Sequence, residues 1–200
     1  MSGLREKQKE QRREAILVAA MQLFDRYGYA ATKVEQIAEA AGVSAPTVFN
    51  YFGNKQEILF ALVDRADRCA ISDARSQMGA FDNAVDALCN LQAVIMQHEL
   101  AALPISIWRE LMSFSFNGSV SVAMTDLNNH LAKEIADLLR ELQGRGMLNA
   151  DFDPEAVADV INDYATLLFA RFLHQDTPDR EAHAKHIRQA LEMTFTGLRP

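Results

Sequence analysis

Apolar residues recur every three to four positions along nearly the whole chain, and no two-residue alternation of useful length interrupts them, so the pattern predicts an all-α protein. Ile16, Ala20, Leu23, Phe24 and Tyr27 fall on one stripe, which ends at Gly28. A second, shorter run carries Val34, Ile37, Ala38 and Ala41 and stops at Gly42. A third carries Val48 and Phe52 and stops at Gly53. Helix-start signals stand between these runs. Thr32 with Glu35 matches a capping box, Ser44 is a good N-cap, and Asn54 with Glu57 repeats the pattern. Pro46 falls in a first turn, where its missing N–H is harmless. Helices closed and reopened this tightly predict a three-helix unit whose second and third helices meet at the corner Gly42-Val43.

From Lys55 onward the pattern predicts longer helices. One covers 55–77 and breaks at Gly79. Others run over about 83–100, from Pro104 through Trp108 to Phe114, and over about 120–143 before Gly144 and Gly146, with a turn at Asn117-Gly118. Asp153-Pro154-Glu155 opens a helix bearing Val157, Val160, Ile161, Tyr164, Leu167 and Leu168. Thr177-Pro178-Asp179 opens a last one bearing Ile187, Ala190, Leu191, Thr194, Phe195 and Leu198. The division this suggests is an N-terminal helix-turn-helix domain over 1–54 and a larger helical domain over 55–200.

Three runs carry a family likeness: AA-x-x-LF-x-x-x-G-Y-x-A-T (Ala19 to Thr32), IA-x-x-AGVS (Ile37 to Ser44) and T-V-F-x-YF-x-x-K (Thr47 to Lys55). With them, the segment from Arg12 to Leu62 resembles the DNA-binding domain of TetR-family transcriptional regulators. The resemblance implies that Ala45, Pro46, Thr47 and Phe49 approach base edges, with Ser44 opening their helix, and that Lys33 also reaches a base. It implies that Thr32, Asn50, Tyr51 and Lys55 meet phosphates. Elementary physics agrees, because Thr32, Lys33 and Lys55 lie at helix N-termini, where N–H groups and the dipole favour an anion. Phe49 replaces the tyrosine common at its position, so one hydroxyl contact is lost. A basic arm with Arg5, Lys7, Lys9, Arg12 and Arg13 precedes the unit and is either a solvated helix or a minor-groove contact. Phe49 and Tyr51 have a second reading as core aromatics.

For the larger domain the resemblance implies a small-molecule effector, and a homodimer formed by the last two helices. A dimer suits a palindromic double-stranded operator read by two recognition helices. Phe81, Leu88, Met96, Trp108, Met112, Phe116, Met124, Leu127, Asn128 and Phe169 are the candidates to line an effector cavity, most of them equally readable as core. His98, Arg109, Glu110 and His130 are further polar candidates. A regulator of the same fold that answers to a protein partner, or to DNA occupancy alone, is the alternative; a packed core around Trp108 would favour it.

Composition sharpens this reading. The net charge is −7, which taken globally argues against nucleic acid. Residues 1–60, however, carry eight Lys/Arg against seven Asp/Glu, and residues 61–200 carry twelve against twenty, so the acidity belongs to the part facing away from DNA. No apolar run is long enough for a membrane span and the charged N-terminus lacks a signal-peptide core, so a cytoplasmic location is expected. Cys69 and Cys89 read as small buried hydrophobes, with a redox pair as the lesser option. An enzyme is not expected. His183 and His186 lack further metal-ligand partners, Gly144 and Gly146 follow a helix rather than a strand, and no catalytic grouping or cofactor motif is evident.

Overall fold

The computed structural model describes the backbone of residues 2–116 and 122–195 and the side chains of 3–112 and 125–195. Among these residues the chain is helical and contains no strand. In chain order the helices are α1 (Ser2–Tyr27), α2 (Val34–Ala40), α3 (Ala45–Phe52), α4 (Lys55–Gln77), α5 (Ala84–Ala102), α6 (Ile105–Phe116), α7 (Val122–Gly144), α8 (Pro154–Leu173) and α9 (Arg180–Phe195), with a 3-10 turn at Met78–Ala80. The expected turn at Asn117-Gly118 lies outside the described residues.

Local chemistry sets these bounds, and it moves three expected starts. The basic arm is not separate from the first helix: α1 begins at Ser2, and its side chains stay exposed from residue 3 through Arg12. The box that opens α2 is displaced by one residue. Lys33 takes the cap position, and its N–H donates to Gln36 Oε1 (2.8 Å), while Thr32 turns inward. Thr32 is buried because α1 ends directly above it. Its hydroxyl donates to the Gly28 carbonyl (2.8 Å), with the Leu23 carbonyl 3.2 Å away, and so satisfies acceptors that the helix end leaves free. At the last helix Asp179, not Thr177, is the cap, its Oδ1 accepting from the N–H groups of Glu181 (2.9 Å) and Ala182 (3.0 Å). Asn54, Asn83 and Asp153 cap α4, α5 and α8 in the same manner.

Two apolar clusters fill the molecule. The first gathers Ile16, Phe24, Ile37, Val48 and Phe52 of the three-helix unit with Ile58, Leu59 and Leu62 of α4, and continues into Leu103, Trp108, Leu111, Phe169 and Phe172. The second gathers Ala70, Ile71 and Ala74 of α4 with Leu88, Leu91, Ile135, Leu139, Ile161, Ile187 and Leu191. α4 therefore contributes its first half to one core and its second half to the other. Tyr27 does not join the stripe that suggested it: it is exposed, with the Arg26 guanidinium 5.3 Å from its ring centroid. The helix stops there, Gly28 takes φ 79°, and Tyr29 packs back in its place, 5.4 Å from Phe24 ring to ring. Cys69 is exposed rather than buried, and Cys89 is half-buried, with burial pushing its thiol pKa up.

Candidate DNA-binding interface and effector region

α2 and α3 meet at a four-residue corner, Ala41–Ser44. Gly42 sits at φ 67° with open space where a Cβ would lie, so backbone conformation and not crowding selects glycine there. Val43 half-buries itself against the first cluster and its N–H donates to the Ala38 carbonyl (2.9 Å). Ser44 Oγ accepts from the Thr47 N–H (3.4 Å) and shares a hydrogen bond with Thr47 Oγ1 (2.8 Å). Val48 and Phe52 anchor α3 from below, which leaves Ser44, Pro46, Phe49 and Asn50 exposed and Ala45, Thr47 and Tyr51 half-buried. Phe49, 45% exposed, is not a core aromatic. Tyr51 packs against the first cluster, its ring 6.3 Å from that of Phe52. The exposed side is short, apolar with a few hydroxyl and amide groups, and stands clear of the rest of the molecule. Exposed Lys33 flanks it at the start of α2.

Two expected phosphate contacts have other work. Thr32 is buried, as described. Lys55 Nζ donates to the carbonyls of Tyr29 (2.6 Å) and Thr32 (2.9 Å), approaches that of Ala30 (3.5 Å), and lies 4.2 Å from the Tyr29 ring centroid. Lys55 thus ties the loop between α1 and α2 to the start of α4. The Arg13 guanidinium lies 5.5 Å from the Phe52 ring, and an Arg65–Glu14 ion pair joins α4 to α1. The Tyr29 phenol is raised above its ordinary pKa, first by burial and then by the negative charge of Glu110 on α6. The loop beside the reading head therefore feels both α4 and α6.

The expected cavity residues do not all converge on one space. Met96, Trp108, Met112 and Phe169 belong to the first cluster; Leu88 is buried in the second, with Phe81 packed at its edge. Trp108 is 1% exposed, stands edge-on to Phe169 at 5.2 Å, and donates its indole N–H to the Glu99 carbonyl (2.9 Å). Leu127 lines a cleft of about 650 Å³ between the reading head and α7, with Arg13, Tyr51 and His130. Asn128 is exposed and accepts from the buried Asn162 amide (2.8 Å). The side chains of Phe116 and Met124 lie outside the described residues. Of the polar candidates, His98 pairs with Asp73 (2.8 Å), and Arg109 donates to the carbonyls of Leu173 (2.5 Å) and Gln175 (3.1 Å), where it caps α8. Apolar spacing could not separate the two clusters, because both use the same pattern. A groove of about 620 Å³ between α5 and α9 brings together two of the candidates, Phe81 and Met96, with Cys89 and His183, which the sequence did not suggest as lining.

The last two helices carry exposed apolar residues: Val160 (59% exposed), Tyr164 and Met193 border a groove of about 220 Å³, and Leu167 of α8 is also exposed. Leu191, Ile187 and Phe195, read from the sequence as part of that face, are instead buried in the second cluster. α9 turns this stripe inward onto α5 and α8, and a smaller apolar stripe is left at the surface. Among the described residues no helix is long and apolar enough to cross a membrane, and no group of three or more His, Cys, Asp or Glu gathers around a common point.

A capped two-helix corner that presents the outer side of its second helix defines a helix-turn-helix DNA-binding regulator. The family model for bacterial regulatory proteins of the tetR family matches residues 16–62. The chain is 30% identical over 162 residues to the HTH-type transcriptional regulator YvkB of Bacillus subtilis, covering 80% of each. It is 25% identical over 211 residues to TcmR of Streptomyces glaucescens, covering 99% of this chain and 87% of that one. The chain belongs to the TetR family of transcriptional regulators. Its fold is similar to that of the Thermus thermophilus repressor FadR in complex with lauroyl-CoA (TM-score 0.73, 26% identity, 92% of this chain and 94% of that one). The family's members are regulators and not enzymes, which removes the enzymatic alternative.

Proposed function

We propose that the protein is a dimeric repressor that places α3 of each subunit in the major groove of a palindromic operator and leaves the operator when a small molecule occupies its larger domain. The outer side of α3 carries this reading: Ala45, Pro46, Thr47, Phe49 and Asn50 face away from the anchors Val48 and Phe52. Lys33 supplies charge beside them, and selectivity comes as much from DNA shape and phosphate contacts as from base edges. The outer stripe of α8 and α9 is the dimer surface. It is apolar and needs a partner, and two reading heads must be held about one helical turn apart. The structural neighbour FadR, a repressor in complex with lauroyl-CoA, supports the effector half of the reading.

The test is selection of DNA by the purified protein from a random pool, followed by anisotropy titration in graded salt. A short palindrome is expected. Salt-sensitive binding with no enriched sequence would overturn the reading.

One observation favours a second reading, in which the same fold answers to a protein partner or to DNA occupancy alone: Trp108 is packed against Phe169 rather than facing open space. Release of the selected operator by any small molecule would exclude it.

A further inference from the structure

The groove of about 620 Å³ between α5 and α9 has the volume of a small-molecule site. Phe81, Met96 and Ile187 make its apolar part. Two carboxamides also line it, Asn90 and Gln92, one on each flank of α5, because residues two apart on a helix do not share a face. Gln92 is 9% exposed, and among the described residues its carboxamide makes no hydrogen bond. The surface it keeps faces this groove and the smaller one between α8 and α9, both of which it lines. Asn90 Nδ2 is fully enclosed and has no partner either. A carboxamide has two donor and two acceptor positions, and leaving them unmet beneath protein costs stability. The two amides therefore weaken the fold unless the groove receives something that answers them.

Among the described residues that line the groove, the interior ones carry no free charge. Asp86 and Arg188 pair across one end (2.8 Å). Burial lowers the His183 pKa, so its imidazole is neutral at pH 7, and burial raises the Cys89 thiol, which stays protonated. Arg180 stands exposed about 12 Å along α9 from Arg188, with Asp179 and Glu181 beside it. A charged ligand would enter this interior without a counter-charge, whereas an uncharged one with donors and acceptors finds them at the amides.

We propose that this groove binds an uncharged ligand carrying a carboxamide or lactam on an apolar body, with Gln92 as the hydrogen-bonding partner. The proposal rests on the effector reading above and names the effector's place and chemical class. An amide donates and accepts side by side, as the Gln92 carboxamide does, so the two close a pair of hydrogen bonds. An ester only accepts, and leaves the Gln92 oxygen unmet. The apolar body lies along Phe81, Met96 and Ile187. Ile187 and Gln92 line the groove between α8 and α9 as well, so a ligand held here bears on the helix that carries part of the proposed dimer surface. A shift of α9 over α5 would change the separation of the two reading heads.

The test uses the full-length protein and probes that share one body: p-butylbenzamide, methyl p-butylbenzoate, p-butylbenzoate and p-butylbenzylammonium. Binding is read from ligand-detected NMR and from melting temperature. The amide is expected to bind about tenfold more tightly than the ester, which makes one hydrogen bond fewer, with both ions weaker still. Gln92→Met keeps the length of the side chain and removes its polar atoms. Without ligand this variant should melt no lower than the wild type, and it should bind amide and ester alike; a lower melting temperature would show that Gln92 is already satisfied and overturn the proposal. Ala93→Phe, which fills the groove and leaves Gln92 in place, should bind none of the probes, and it serves if Gln92→Met does not fold. Equal binding of amide and ester by the wild type, tighter binding of either ion, an amide preference that survives Gln92→Met, probe binding that survives Ala93→Phe, or no binding of any probe would each overturn the proposal. Operator release is measured separately. Release by the amide that Gln92→Met leaves unchanged keeps effector control standing and overturns this site. An amide held by Gln92 that leaves the operator complex intact confirms the site and refutes effector control through it.

Discussion

The reading head and the larger domain are both helical, yet different physics specifies them. Residues 12–62 are fixed by local devices: caps at Ser44 and Asn54, a left-handed glycine at Gly42, and two helices, α2 and α3, too short to form without them. Beyond Gln77 the helices are long, and tertiary burial decides which face turns inward. Local devices can be read one by one. Burial is a property of the assembled whole, and equivalent stripes can be assembled in more than one way.

The sharpest way to break this comparison is at the outer face of α8. Val160→Glu or Leu167→Glu should give a folded monomer whose operator affinity falls on the order of 100-fold, because two half-sites no longer act together. Sedimentation and anisotropy measure both effects. Leu191→Glu, on the same stripe by sequence, should instead unfold the domain, since it is buried in the second cluster. A folded Leu191→Glu monomer would show that α9 is placed wrongly.

Next in size is Lys55→Ala. Losing charged hydrogen bonds to the loop at residues 29–32 should lower stability by about 2 kcal/mol, while the salt dependence of DNA binding keeps its slope. Lys33→Ala should do the reverse, reducing that slope by about one with stability unchanged. If Lys55→Ala flattens the slope instead, the lysine meets a phosphate after all.

Asp67→Asn should raise the melting temperature at pH 8. A carboxyl whose folded pKa is raised to about 7 favours the folded state while protonated, and that contribution disappears as pH climbs from about 4 towards 7. Burial raises that pKa first, and the charge of Asp64 on its own helix acts in the same direction. The gain should therefore shrink as pH falls below 7 and vanish near 4; a gain independent of pH would mean that Asp67 is not strained by its charge. The smallest effect belongs to Thr47→Ala, which should change preference at one operator position by about 1 kcal/mol, read from binding to single-base operator variants.

What could be read from the residues follows the same division. α3 forms over the residues its caps imply, and the corner at Gly42 forms where its chemistry requires. Thr32 and Lys55 have contacts that the sequence did not suggest, for one reason. Each sits at a helix start and so suggests an anion site, but each bonds to carbonyls that only the folded loop brings near. The cavity candidates were spread over two cores because apolar spacing says that a face is buried and not against what. Asp67 did carry a signal. It interrupts the small and apolar series Val63, Ala66, Ala70 and Ala74 on the inner face of α4, where burying a charge costs stability.

The sharing of α4 between two cores bears on how such regulators are recombined. Joining residues 1–54 to the body of another regulator would set Ile16, Phe24 and Ile37 from one parent against Ile58, Leu59 and Leu62 from the other, splitting the first cluster. A splice placed just beyond Ala66 transplants that entire face of α4 with the reading head, and the new host has only to match it at α5, α6 and α8.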